Sequence, residues 1–126
     1  MDKVALVNLD VERGWQIVSA LDQADFGIRV ALWAFTSEYE DWRLVLSSPR
    51  FEGGTIKDHR RVNDALDAAG VPVRSVPPML LLASSDPFIK SLRRIFGKAH
   101  SVEAMRLGGQ MIGDRWIEDA YVYRIS

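Results

Sequence analysis

Between Ile28 and Thr36 apolar residues occupy both sides of an alternating pattern. Ile28, Val30, Leu32 and Ala34 point one way; Ala31, Trp33 and Phe35 point the other, with Arg29. A strand apolar on both faces belongs near the middle of a sheet. Trp42–Ser48 repeats the alternation, with Trp42, Leu44 and Leu46 opposed to Arg43, Val45 and Ser47. The five residues Ser37–Asp41 between the two runs suit a hairpin loop, and Pro49 has no N–H to extend the ladder. A third run, Met79–Ala83, is short and apolar throughout, as a buried strand is. Two more strands are predicted near Val102–Leu107 and Asp119–Ile125, joined through Gly108-Gly109 and a polar segment. On the last strand, strict alternation sets Tyr121, Tyr123 and Ile125 on one face and Val122 and Arg124 on the other.

Three stretches carry the helical period instead. Val11, Trp15, Val18 and Leu21 recur at spacings of four, three and three, predicting a helix over Val11–Ala24 with Asp10 as its N-cap. Residues 4–7 fit either a further turn or a short edge strand. Thr55 followed by Asp58 is a variant capping box opening a helix that runs to Ala69 and stops at Gly70. Its expected stripe is Ile56, Val62, Leu66 and Ala69. Ser85-Asp86-Pro87 is the sharpest local signal, with Asp86 as N-cap and Pro87 at the first helical position. Phe88, Leu92, Ile95 and Phe96 form the stripe of that helix, and Gly97 ends it.

The resulting order is α-β-β-α-β-α-β-β. It predicts one α+β domain over residues 1–126, a single mixed sheet of about five strands with about three helices packed mainly on one face. The helix between the second and third strands makes a crossover connection the expected link there.

Composition narrows the function without naming it. The apolar share of 48% and the charged share of 26% are ordinary for a globular domain. A net charge of −1 gives no overall attraction to nucleic acid or anionic membrane. There is no cysteine, which excludes disulfides, thiolate chemistry and Cys-bound zinc, and fits a cytoplasmic location. No apolar run is long enough to span a bilayer, and the N-terminus lacks the apolar core of a signal peptide.

Glu38, Glu40 and Asp41 crowd the first hairpin, and carboxylates suit a hard divalent cation. Asp41-Trp42-Arg43, however, offers an arginine where a metal-dependent nuclease needs a group that can take up a proton. The favoured reading is a solvated turn. His59 falls on the expected apolar stripe of its helix, beside Asp58, Arg60 and Arg61, where a general base or a core histidine would both sit. Lys90, Arg93, Arg94 and Lys98 cluster on the third helix, and with His100 and Arg106 form the basic concentration of the chain. Such a face could bind phosphate or nucleic acid, although cations near a helix C-terminus also complement the backbone dipole.

No phosphate-binding glycine loop, dinucleotide fingerprint, Gly-x-Ser-x-Gly elbow or His-Glu-x-x-His motif is present. The expectation is a protein-interaction or regulatory domain without catalytic activity, self-associating and without a cofactor. The alternatives are phosphate or nucleic-acid binding through Lys90, Arg93, Arg94 and Lys98, and a metal-dependent hydrolase using Glu38, Glu40 and Asp41 with His59.

Overall fold

The computed structural model describes residues 5, 6, 8–98 and 102–126. In chain order its elements are α1 (Asn8–Gln23), β1 (Val30–Thr36), β2 (Asp41–Ser47), α2 (Ile56–Ala68), a 3-10 turn (Val73–Ser75), β3 (Met79–Leu82), α3 (Pro87–Phe96), β4 (Arg106–Leu107), β5 (Gln110–Ile112) and β6 (Arg115–Ile125). The six strands form one sheet in the order β3-β2-β1-β6-β4, with β5 also pairing β6. All pairs are antiparallel except β2–β3, which the α2 crossover makes parallel. This is the α+β single mixed sheet that the pattern predicts.

The two faces of the sheet carry separate cores. On one, Ala31, Trp33, Phe35, Trp42, Leu44, Leu46 and Tyr123 pack beneath Ile17, Val18 and Leu21 of α1 and Val62 and Leu66 of α2. On the other, Val30, Leu32, Ala34, Val45 and Val122 pack against Phe88, Ile89 and Leu92 of α3. Two helices therefore share one face and the third covers the opposite one. β1 is buried along its whole length because it lies between β2 and β6 with helices on both sides.

Several local expectations are corrected. α1 begins at Asn8, so Asp10 lies in its first turn rather than at its cap. The polar segment before Asp119 is ordered: β5 and the first half of β6 form a hairpin about Gly113-Asp114. On β6 the register with β1 shifts twice, between Ala31 and Leu32 and between Phe35 and Thr36, leaving Tyr123 and Glu118 as extra residues. The first shift sends Ile125 to the α3 face, away from Tyr123, against strict alternation. Ile56 is 79% exposed, because the buried residues of α2 are Asp58, Val62 and Leu66. Ile95 is exposed likewise, and Ile89 takes its place under α3.

Candidate functional site

The three acids of the first hairpin do not converge. Glu38 pairs with Arg115, Oε2 to Nη1 at 3.0 Å. Asp41 accepts from the backbone N–H of Trp42 at 2.7 Å. Glu40 is exposed, at a positive φ of 52° in the turn. His59 stands in the first turn of α2, half-buried, its N–H donating to the Thr55 carbonyl. That turn follows the far end of β2, and seven residues of strand separate it from the hairpin acids, about 20 Å. Among the described residues no three His, Asp or Glu side chains are grouped to hold a metal ion.

Lys90, Arg93 and Arg94 are exposed on the outer side of α3, and Lys98 is exposed just beyond it. Arg93 is partly committed, since its Nε donates to the Ser126 carbonyl at 2.8 Å. Arg106 grips Asp119 through two contacts of 2.8 and 2.9 Å and is no part of that face. His100 lies outside the described residues.

The hairpin turn is instead the meeting point of two arginines. The Arg43 guanidinium lies over the Tyr39 ring, 4.0 Å from its centroid. Arg115 holds the adjacent Glu38. Alternation places Thr36 on the α3 face with Ala34, Arg43 there with Val45, and Arg115 there with Ile112 and Ile117. Thr36 stands opposite Asp41 on one side and Ile117 on the other, so Arg43 and Arg115 are its diagonal neighbours. Thr36 Oγ1, Arg43 Nε and Arg115 Nε are buried atoms with no hydrogen-bond partner among the described residues. Leaving such a group unsatisfied costs about 1–3 kcal/mol, more for a charged one.

Two buried polar networks are fully paired and build the framework. Asp58 has no exposed surface. Its carboxylate accepts from the backbone N–H groups of Glu52, Gly53, Gly54 and Thr55 at 2.9 to 3.4 Å. In return the Thr55 hydroxyl accepts from the Asp58 N–H, completing the capping box. Burial alone pushes the Asp58 pKa up, but the four backbone donors outweigh it and hold the group below its ordinary 3.8.

The second network runs through Tyr123. Its hydroxyl accepts from Trp33 Nε1 at 2.8 Å and donates to the Val11 carbonyl at 2.7 Å, tying the sheet to α1. Burial raises its pKa well above 10, against the lowering pull of the Trp33 N–H. Trp15 and Tyr121 both meet the Tyr123 ring edge-on.

Among the described residues, three surface grooves accompany this framework. The widest, about 600 Å³, runs between α1 and the chain after α2, past Trp15, Gln16, Ser19, Gln23, Val71 and Pro72. A second, about 310 Å³, opens beside Leu66, Val71 and Val76. A third, about 200 Å³, lies between Asp10, Asp41, Trp42 and Pro77-Pro78. None of the three includes His59.

At the outer edge of the sheet, Met111 and Trp116 stand directly opposite each other on β5 and β6. Met111 is 61% exposed and Trp116 45%. The polar segment expected before Asp119 holds their turn, Gly113-Asp114. A Gly-Asp pair flanked by short alternating runs is a recognised two-residue hairpin signal.

No protein-family model, curated protein or solved structure matches this chain. Among the described residues no helix is long and apolar enough to cross a membrane.

Proposed function

We propose that the protein is a small interaction or regulatory domain without catalytic activity, which self-associates through the β5 edge of its sheet. The observation that carries this reading is the exposed Met111–Trp116 pair beside a strand edge. Large apolar side chains adjacent to unpaired backbone are what a second chain covers. Among the described residues β5 pairs β6 alone, so its outer N–H and C=O groups face away from the sheet. A second copy running antiparallel would extend the sheet and bring the two Met111–Trp116 pairs together in an isologous contact. Charge does not oppose it, because Arg106 beside that edge is already neutralised by Asp119 and the chain as a whole carries −1. A three-residue edge is small beside a standard interface of about 1,600 Å², so the association should be concentration-dependent. Sedimentation velocity over a wide concentration range should show a monomer–dimer equilibrium that Trp116→Glu shifts to monomer. A wild-type chain that stays monomeric throughout would end this reading.

The groove past Trp15 and Gln16, between α1 and the chain after α2, offers a place for a different protein partner, compatible with the same role.

Phosphate or nucleic-acid binding by α3 is favoured by one observation, the exposed row of Lys90, Arg94 and Lys98. It predicts oligonucleotide binding that weakens steeply with salt and disappears in Lys90→Glu/Arg94→Glu. Salt-independent binding, or binding unchanged in the double variant, would remove it.

A further inference from the structure

We propose that Arg43, Arg115 and Thr36 form a binding site for a phosphate-type oxyanion at the turn between β1 and β2. The inference is independent of the edge contact proposed above. Buried polar atoms in folded proteins are nearly always paired, and the exceptions call for an explanation. The unpartnered buried side-chain atoms found among the described residues are Thr36 Oγ1, Arg43 Nε, Ser47 Oγ and Arg115 Nε. Three of the four share one face and one end of the sheet, at diagonal register positions.

The two guanidinium groups are also held at the same turn. Each is held against one of two consecutive turn residues, Arg43 by the Tyr39 ring and Arg115 by the Glu38 carboxylate. Glu38 occupies only Nη1 of Arg115, which leaves the Nε edge of that planar group to a ligand. Arg43 Nε is likewise without a hydrogen-bond partner among the described residues. Guanidinium edges of this kind bind planar or tetrahedral oxyanions through paired N–H donors. Thr36, 6% exposed, adds a hydroxyl donor between them. One Nε donor from each of two cations, with a hydroxyl between them, matches a phosphate group, which carries a charge near −2 and several acceptor oxygens.

Two carboxylates face the site. Asp41, opposite Thr36, is turned to the Trp42 N–H. Glu38 has its side chain 58% exposed, while that of Arg115 is only 17% exposed. The weakly held, hydrated carboxylate is the partner a stronger anion displaces. Glu38 thus acts as a competing internal ligand.

The test uses inorganic phosphate as the probe, followed by NMR and thermal unfolding at constant ionic strength, with chloride as reference. The expected result is a saturable shift of Thr36, Tyr39 and the Arg43 and Arg115 Nε–H signals, with a rise in Tm. Arg43→Gln and Arg115→Gln should each weaken binding by about tenfold or more. Glu38→Gln should tighten it. Thr36→Val removes the buried hydroxyl without opening the sheet; it should raise Tm in chloride and reduce the further gain in phosphate. Lys90→Glu/Arg94→Glu should bind as the wild type does. Phenyl phosphate as a second probe separates an esterified ligand, which should bind more tightly than free phosphate, from the free anion. No saturable shift at the turn, or one that survives both arginine substitutions, would overturn the proposal.

Discussion

Asp58 shows how one side chain fixes the path of a loop. Four consecutive backbone N–H groups, from Glu52 to Thr55, point at its carboxylate, so the loop before α2 closes on the helix it precedes. Asp58→Ala strips all four of their acceptor at a site without solvent, and should cost about 2–4 kcal/mol in denaturant unfolding. Because the folded pKa lies below 3.8, the contribution of Asp58 is complete above that value and decays as pH falls through the lowered one. Unfolding free energy should therefore decline on acidification below about pH 4, and the Asp58→Asn variant should lose that part of the slope. The capping box was legible from Thr55 and Asp58. The extra donors were not, because a periodicity argument treats aspartate as facing water and so centred the stripe of α2 on Ile56.

Gly14 makes the matching point for packing. A Cβ placed there would lie 2.0 Å from the Tyr123 hydroxyl oxygen. Gly14→Ala gains up to about 1 kcal/mol of helix propensity, but it drives α1 off the Trp33–Tyr123–Val11 network. The clash should win, for a net loss of about 1–3 kcal/mol in chemical denaturation. Nothing in the local sequence distinguishes Gly14 from any other glycine inside a helical pattern.

At the scale of elements, legibility followed how local the determining interactions are. α3 was readable from Ser85-Asp86-Pro87, since the cap is a contact within three residues: Asp86 accepts from the Phe88 N–H at 2.9 Å. Asp86→Ala should lower stability by about 0.5–2 kcal/mol by thermal or chemical unfolding. The β1–β2 hairpin was readable from alternation and turn length, and its boundaries agree within two residues. β6 resisted the same logic. Its two register shifts are set by what lies across the sheet, Ala31–Leu32 and Phe35–Thr36, and no period-two pattern carries an inserted residue. The shift at Ala31–Leu32 brings Tyr123 and Arg124 successively toward α1, where Arg124 pairs with Asp22 at 2.9 Å. β5 was hidden because it is three residues long and contains one polar side chain, with only the Gly113-Asp114 turn to announce it.

At the scale of the molecule, the doubly apolar pattern of Ile28–Thr36 marked a central strand, and the helices were expected mainly on one face; α1 and α2 do share one face, while α3 covers the other. The pattern could not show which edge stays open. β6 lies between β1 and β4, and both of its tyrosines pack on the α1 side of the sheet. Edge position is a property of strand order, which depends on long-range pairing rather than on any local signal. The partner of Glu38 in the turn is equally a long-range matter, because Arg115 lies 77 residues along the chain.

The measurement that bears most directly on the proposed function is hydrogen exchange at the β5 amides as a function of protein concentration. If a second copy pairs with this edge, amides of Gln110–Ile112 gain protection as concentration rises, and Met111→Lys abolishes the gain. Exchange at β5 that stays constant while the mass doubles would place the contact elsewhere. Constant exchange with constant mass would contradict self-association altogether.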